Sequence, residues 1–132
     1  MDASFDFEVH PTFLYIKHPP GFVISAEIAE AVWSRVGKLC REHGRGKVLV
    51  EGLKPVRQLD TMSAFDSGRV LAENLTGLSI AICFQDYEFD DLSAFFKTVA
   101  QNRGVKVEFF SNMSDAMEWL GVDTGENAVG NG

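Results

Sequence analysis

Reactive side chains are scarce in this sequence. Of its 132 residues, three are histidine and two are cysteine. His10, His18 and His43 stand in separate turns or at a helix end, and none has a second ligand at i+3 or i+4. The spacing that builds a zinc site is therefore missing. Cys40 continues an apolar helix face, and Cys83 lies inside the run Ile80-Ala81-Ile82-Cys83-Phe84. Isolated cysteines of this kind act as small hydrophobes rather than as a disulfide framework. There is no Gly-x-Ser-x-Gly elbow of a serine hydrolase. Gly44-Arg45-Gly46 precedes a strand instead of following one and lacks the third glycine of a dinucleotide turn, and no phosphate-cradling Gly-Lys-Ser/Thr loop is present. These absences argue for a non-catalytic chain with no metal and no cofactor.

Two further shortages bear on partners. Positive charge is sparse: the formal net charge is -7, and the tightest basic group, Arg41, Arg45 and Lys47, is small. Nucleic acid and anionic membrane surfaces both need a basic footprint, so neither is an expected partner. Long apolar runs are also missing, with none near the ~20 residues of a membrane span. Met1-Asp2-Ala3-Ser4 offers neither a basic region nor an apolar signal core. The expectation is a cytoplasmic protein without a transmembrane segment.

What is present describes a globular domain. A hydrophobic fraction of 45% with 23% charge suits one core over residues 1–122. Asp123 to Gly132 is Gly- and Asn-rich and reads as a disordered tail. The eleven phenylalanines exceed what such a core usually holds. They fit either a Phe-rich interior or an apolar ligand cavity, since such pockets are lined by the same residues.

Periodicity orders the elements. Phe5, Phe7 and Val9 alternate with Asp6 and Glu8 as a strand with one wet face, and the short link His10-Pro11-Thr12 joins it antiparallel to Phe13–Lys17. After Pro19-Pro20-Gly21, a helix from Ser25 to Glu42 sets Ile28, Val32, Val36, Leu39 and Cys40 on one face. Lys47–Glu51 is a third strand, covered on both sides. A second helix from Asp60 or Thr61 to Asn74 aligns Met62, Phe65, Gly68, Ala72 and Leu75. Ser79–Phe84 is strand four, and a third helix places Leu92, Phe95, Phe96, Val99 and Ala100 together. Val107–Phe110 is the last strand. Ser111 then caps a final helix with Met113, Ala116, Met117 and Leu120 on its buried face, and Trp119-Leu120 as its closing latch. The order β-β-α-β-α-β-α-β-α predicts an α/β fold: a mixed, mostly parallel sheet of about five strands, with an antiparallel edge strand and four helices. An exposed first strand or apolar helix face would suit a homodimer.

Two places invite function. The acidic loop Asp86-Tyr87-Glu88-Phe89-Asp90-Asp91 follows strand four, yet its carboxylates also serve as a helix cap and oppose the amino-terminal dipole. Asp60-Thr61-Met62-Ser63 opens the second helix, where a phosphate on Thr61 or Ser63 would meet free amides. The plain alternative there is a cap in which Asp60 accepts from the amide of Ser63. Lys54 and Arg57 in the preceding loop would complete a partner-binding face.

From about Phe13 to Leu120 the pattern resembles the SpoIIAA-like branch of the STAS superfamily of anti-sigma-factor antagonists. The cues are Gly21 followed by Ser25-Ala26-Glu27, the strand Ile80-Ala81-Ile82, and Val107 to Phe110 followed by Ala116-Met117-Glu118-Trp119-Leu120. The resemblance implies a regulatory, protein-binding module, phosphorylation-responsive at the start of the second helix, with a kinase or anti-sigma-like regulator as partner. The Asp-Ser-Ser-Gly motif of signalling members is altered here. By position its place is taken by Asp60-Thr61-Met62-Ser63, and by identity Asp66-Ser67-Gly68 is closer. The branch is also similar in fold to lipid-carrying domains of the Sec14 type. That likeness implies the alternative, a small apolar ligand or lipid in a cavity near Phe65, Phe84, Phe89 and Phe95, exposed when the second and third helices part from the sheet.

Overall fold

The computed structural model describes residues 5–53, 56–57, 60–85 and 89–122. In chain order the elements are β1 (Asp6–Val9), β2 (Leu14–Lys17), β3 (Val23–Ile24), α1 (Ala26–His43), β4 (Lys47–Leu53) and β5 (Val56–Arg57). There follow α2 (Thr61–Leu75), β6 (Ser79–Gln85), α3 (Asp91–Asn102), β7 (Lys106–Phe110) and α4 (Met113–Leu120). Five strands form one sheet in the order β1-β2-β4-β6-β7. Only β1 with β2 is antiparallel; β2, β4, β6 and β7 are parallel neighbours. The mixed sheet and four helices expected from the pattern are present.

Side chains alternate across a strand, and here they separate two cores. Leu14, Ile16, Val48, Val50, Ile80, Ile82, Phe84 and Val107 face the layer of α1, α2 and α3. Phe13, Leu49, Ala81 and Cys83 face α4 through Ala116 and Leu120. Both cysteines are free and buried. No helix among the described residues is long and apolar enough to cross a membrane.

The three-helix layer is held at two glycines. A side chain at Gly37 of α1 would stand 2.8 Å from the Asn74 carbonyl oxygen of α2, and one at Gly68 of α2 would stand 2.9 Å from the Phe96 carbonyl oxygen of α3. Only a residue without Cβ permits this approach of backbone to backbone.

Several details differ from the sequence expectation. Two-residue strands β3 and β5 pair in parallel, a contact too short for any periodicity to announce. They prolong the β2–β4 pairing, since the Gly21 amide donates to the Leu53 carbonyl (3.0 Å) and the Val56 amide to that of Phe22 (2.7 Å). The first strand has no buried face. Phe7 and Val9 are 38% and 37% exposed, and only Phe5, ahead of β1, is covered. The Arg35 guanidinium of α1 reaches this edge, 4.3 Å from the Phe5 ring and 5.7 Å from that of Phe7.

In α4 the cap is Asn112, not Ser111: its side chain accepts from the Asp115 amide (2.8 Å). Leu120 is buried, but Trp119 is 41% exposed and leans on Phe110 at 5.8 Å, so Leu120 alone is the latch. In α2 the buried side runs through Ala64, Ser67, Gly68, Leu71, Ala72 and Leu75, leaving Met62 at 67% exposure. The close contact at Gly68 orients the helix, and Met62 projects from its first turn.

Candidate functional site

At the carboxyl ends of the parallel strands, where α/β sheets receive ligands, the helix layer leaves a cavity of about 80 Å³. Val50 of β4 and Ile82 and Phe84 of β6 form its floor. Ile28, Ala29, Val32 and Trp33 of α1 face Leu92, Ser93 and Phe96 of α3 across it. The turn holding His18 and Phe22, continued by Val23 of β3, closes another side. Val32, Val50, Ser67, Ile82 and Phe96 are buried, while Phe22, Val23, Ser25, Ile28 and Leu92 are half-buried. The cavity thus opens between the start of α1 and the start of α3. Among the described residues, no lysine, arginine, aspartate or glutamate lines it.

Four polar residues interrupt the apolar wall: His18, Ser25, Ser67 and Ser93. The Ser25 hydroxyl caps α1 by accepting from the Ile28 amide at 3.3 Å. Ser67 is different. A serine inside a helix commonly turns its hydroxyl back to the carbonyl one turn earlier. Ser67 is 3% exposed, yet its Oγ has no hydrogen-bond partner among the described residues. His18 is buried too, stacked on Phe22 with ring centroids 4.3 Å apart and met edge-on by Phe5 at 5.7 Å. Burial among these rings lowers its imidazole to a pKa of about 4, so the ring is neutral near pH 7. Phe22 reaches the cavity because Gly52 has no side chain: a Cβ there would fall 2.4 Å from the Phe22 ring.

The expected apolar-ligand residues divide. Phe84 lines the cavity. Phe89 packs on Phe109, with centroids 5.1 Å apart, at the edge of the same core. Phe65 and Phe95 do not line it; they stack on each other at 6.4 Å along the outer seam of α2 and α3, where the Arg103 guanidinium covers Phe65 at 5.3 Å. The phenylalanines that join Phe84 in the wall are Phe22, Phe96 and Phe109. Of these, Phe96 belonged to a readable helix face. Phe22, His18 and Ser67 carry no periodicity that marks them as lining residues. The available signal for the first two was the strand-breaking Pro19-Pro20-Gly21, which folds the chain over the strand ends.

At the start of α2, Asp60 accepts from the Ser63 amide at 2.8 Å, the plain cap anticipated from sequence. Hydrogen bonds from Ser63 hold the exposed carboxyl below its ordinary range. Thr61 is exposed and Ser63 half-buried. Lys54 lies outside the described residues, as do residues 86–88 of the acidic loop; Arg57 pairs through β5 with Ile24. Asp90 caps α3 by accepting from the Leu92 and Ser93 amides. Asp66, Ser67 and Gly68 all lie within α2, and burial keeps the Ser67 hydroxyl from an external kinase.

On the opposite face of the sheet, the Tyr15 hydroxyl and Gln85 Nε2 both donate to the Glu51 carboxylate. Burial and that carboxylate push the Tyr15 hydroxyl well above its ordinary pKa, so it stays a proton donor. Burial also raises the thiols of Cys40 and Cys83 to about 11, which leaves both protonated and poorly nucleophilic near neutrality. Among the described residues no three of His, Cys, Asp and Glu converge as metal ligands would.

No protein-family model matches this sequence, and neither a curated protein nor a solved structure shows significant similarity to it.

Proposed function

We propose that this chain is a non-catalytic, STAS-like binding module that carries or senses a small apolar molecule in the cavity at the carboxyl end of its parallel strands. One observation carries the reading: a cavity of about 80 Å³ walled mostly by aliphatic and aromatic side chains, with no charged residue among the described residues of its lining. Close-packed interiors rarely keep voids larger than a water molecule. An apolar void excludes water and takes apolar guests. The protonated thiols and the absence of recognisable nucleophilic motifs support binding without chemistry. Heat-denaturing freshly purified protein should release a near-stoichiometric small organic compound, detected by gas chromatography and mass spectrometry. If nothing is released and dissolved xenon leaves the cavity resonances unmoved, the reading fails.

A second reading concerns the beginning of α2. Thr61 is exposed in the first turn beside Met62, which is 67% exposed, so a hydroxyl and an apolar side chain are offered together to a protein partner such as a kinase or an anti-sigma-like regulator. A phosphate on Thr61 would gain hydrogen bonds from the helix amides. Thr61→Glu is then expected to change the affinity of a captured partner by about tenfold, the scale of one charge-assisted contact. Unchanged binding of Thr61→Glu and Ser63→Glu variants, measured by surface plasmon resonance, would remove the switch.

A further inference from the structure

We infer that the cavity selects an uncharged molecule bearing one hydrogen-bonding group, anchored by the Ser67 hydroxyl, and this rests on the reading of the cavity as a ligand site. Ser67 Oγ is the only buried side-chain polar atom among the described residues that lacks a hydrogen-bond partner. Ser67 is one of the residues lining the cavity, together with Val50, Ile82 and Phe96. A buried hydroxyl without a partner is costly, and one that gains a partner when a guest enters contributes to affinity. The guest therefore matches a mostly apolar wall in which, among the described residues, this hydroxyl is the buried one left without a partner.

Charge is excluded by the same lining. Among the described residues that line it, no lysine or arginine is present to pair with an anion, and no aspartate or glutamate to pair with a cation. An ion taken out of water without a counter-charge is strongly disfavoured. His18 does not alter this, because burial keeps its ring neutral well below pH 7. A primary or secondary alcohol, a ketone, an aldehyde or a simple amide fits; an acid or an amine at its usual ionisation does not.

Size follows from volume. A cavity of about 150 Å³ accepts benzene, whereas a single water needs roughly 10–15 Å³. The cavity's 80 Å³ lies between these. It suits a guest of about three to five non-hydrogen atoms, with any longer chain leaving through the gap between α1 and α3.

Four probes of matched length test this: 1-butanol, 1-chlorobutane, butyrate and butylammonium. Each is titrated into the full chain at pH 7 and followed by the amide resonances of Val32, Ser67 and Ser93. 1-Butanol should shift these resonances saturably, with butyrate and butylammonium weaker by at least about tenfold. Ser67→Ala should weaken 1-butanol by about three- to tenfold, the scale of one hydrogen bond, and leave 1-chlorobutane unchanged. Equal 1-butanol affinity in the wild type and Ser67→Ala overturns the anchor, as does an ionic probe that binds as tightly. In either case the apolar cavity reading survives if 1-chlorobutane binds. If none of the four moves the cavity resonances, both readings fall together.

Discussion

Phe96→Ala should lower the unfolding free energy by about 3–5 kcal/mol, the range for deleting a buried aromatic ring. Phe96 is 8% exposed, stands 5.9 Å from Phe109 between ring centroids, and forms part of the α3 wall of the cavity. Its removal takes away hydrophobic burial and leaves a larger void that the clamped α2–α3 contact at Gly68 cannot close by moving α3 inward. Domains of ordinary stability hold about 5–15 kcal/mol, so the variant should remain folded in the cold. Urea titration at 10 °C measures the loss. The enlarged void should also admit benzene, and saturating benzene should recover part of the lost midpoint by mass action. A loss below about 1 kcal/mol would mean that Phe96 is not a packed wall.

Acid should destabilise the fold through His18, before most carboxylates titrate. The unfolded imidazole has a pKa near 6.5 and the folded one about 4. Between those values the unfolded chain binds a proton that the native chain refuses. The stability is therefore fully present above about pH 6.5 and is lost progressively as the pH falls through the folded value near 4. The span corresponds to about 3 kcal/mol. Asp60 acts in a lower window: its depressed carboxyl stabilises the native state above the ordinary aspartate range and ceases to do so as the pH falls further. His18→Phe keeps a ring between Phe5 and Phe22 but removes the titration. Urea midpoints at pH 7 and pH 4.5 should differ much less in this variant than in the wild type. Equal pH dependence in both would show that His18 is not the responsible group.

The elements were legible because apolar spacing and capping chemistry are local properties. Ser25, Asp60 and Asp90 each cap the helix that their sequence context announces. Asn112 displaced Ser111 because two competent caps adjoin, and the end of β7 decides between them. The face of α2 was harder to read. Met62, Phe65 and Gly68 keep a helical spacing, but the backbone contact at Gly68 turns Ala64, Ser67 and Leu71 inward, while Phe65 finds Phe95 on the outer seam. Phenylalanine content likewise could not separate the rings that wall a cavity from those that pair outside it. Nor could sequence identify Ser67 as an orphan hydroxyl, since a missing partner is a property of tertiary packing.

The glycine contacts that clamp α1 to α2 and α2 to α3 have a kinetic consequence. Backbones in contact at Gly37 and Gly68 make the three helices a single plate. Parting α2 and α3 from the sheet would therefore also have to break the α1 contact at Gly37 or carry α1 along, with all the packing beneath. For the proposed carrier, exchange of a guest then falls to the gap between the starts of α1 and α3 and to the turn beside it, where the half-buried Phe22 ring rests on Gly52. Side-chain rotation takes picoseconds to nanoseconds when unhindered, whereas collective helix motion takes microseconds to milliseconds. Residence time should accordingly follow the bulk at positions 22 and 52, and be indifferent to substitutions on the outer surface of α2.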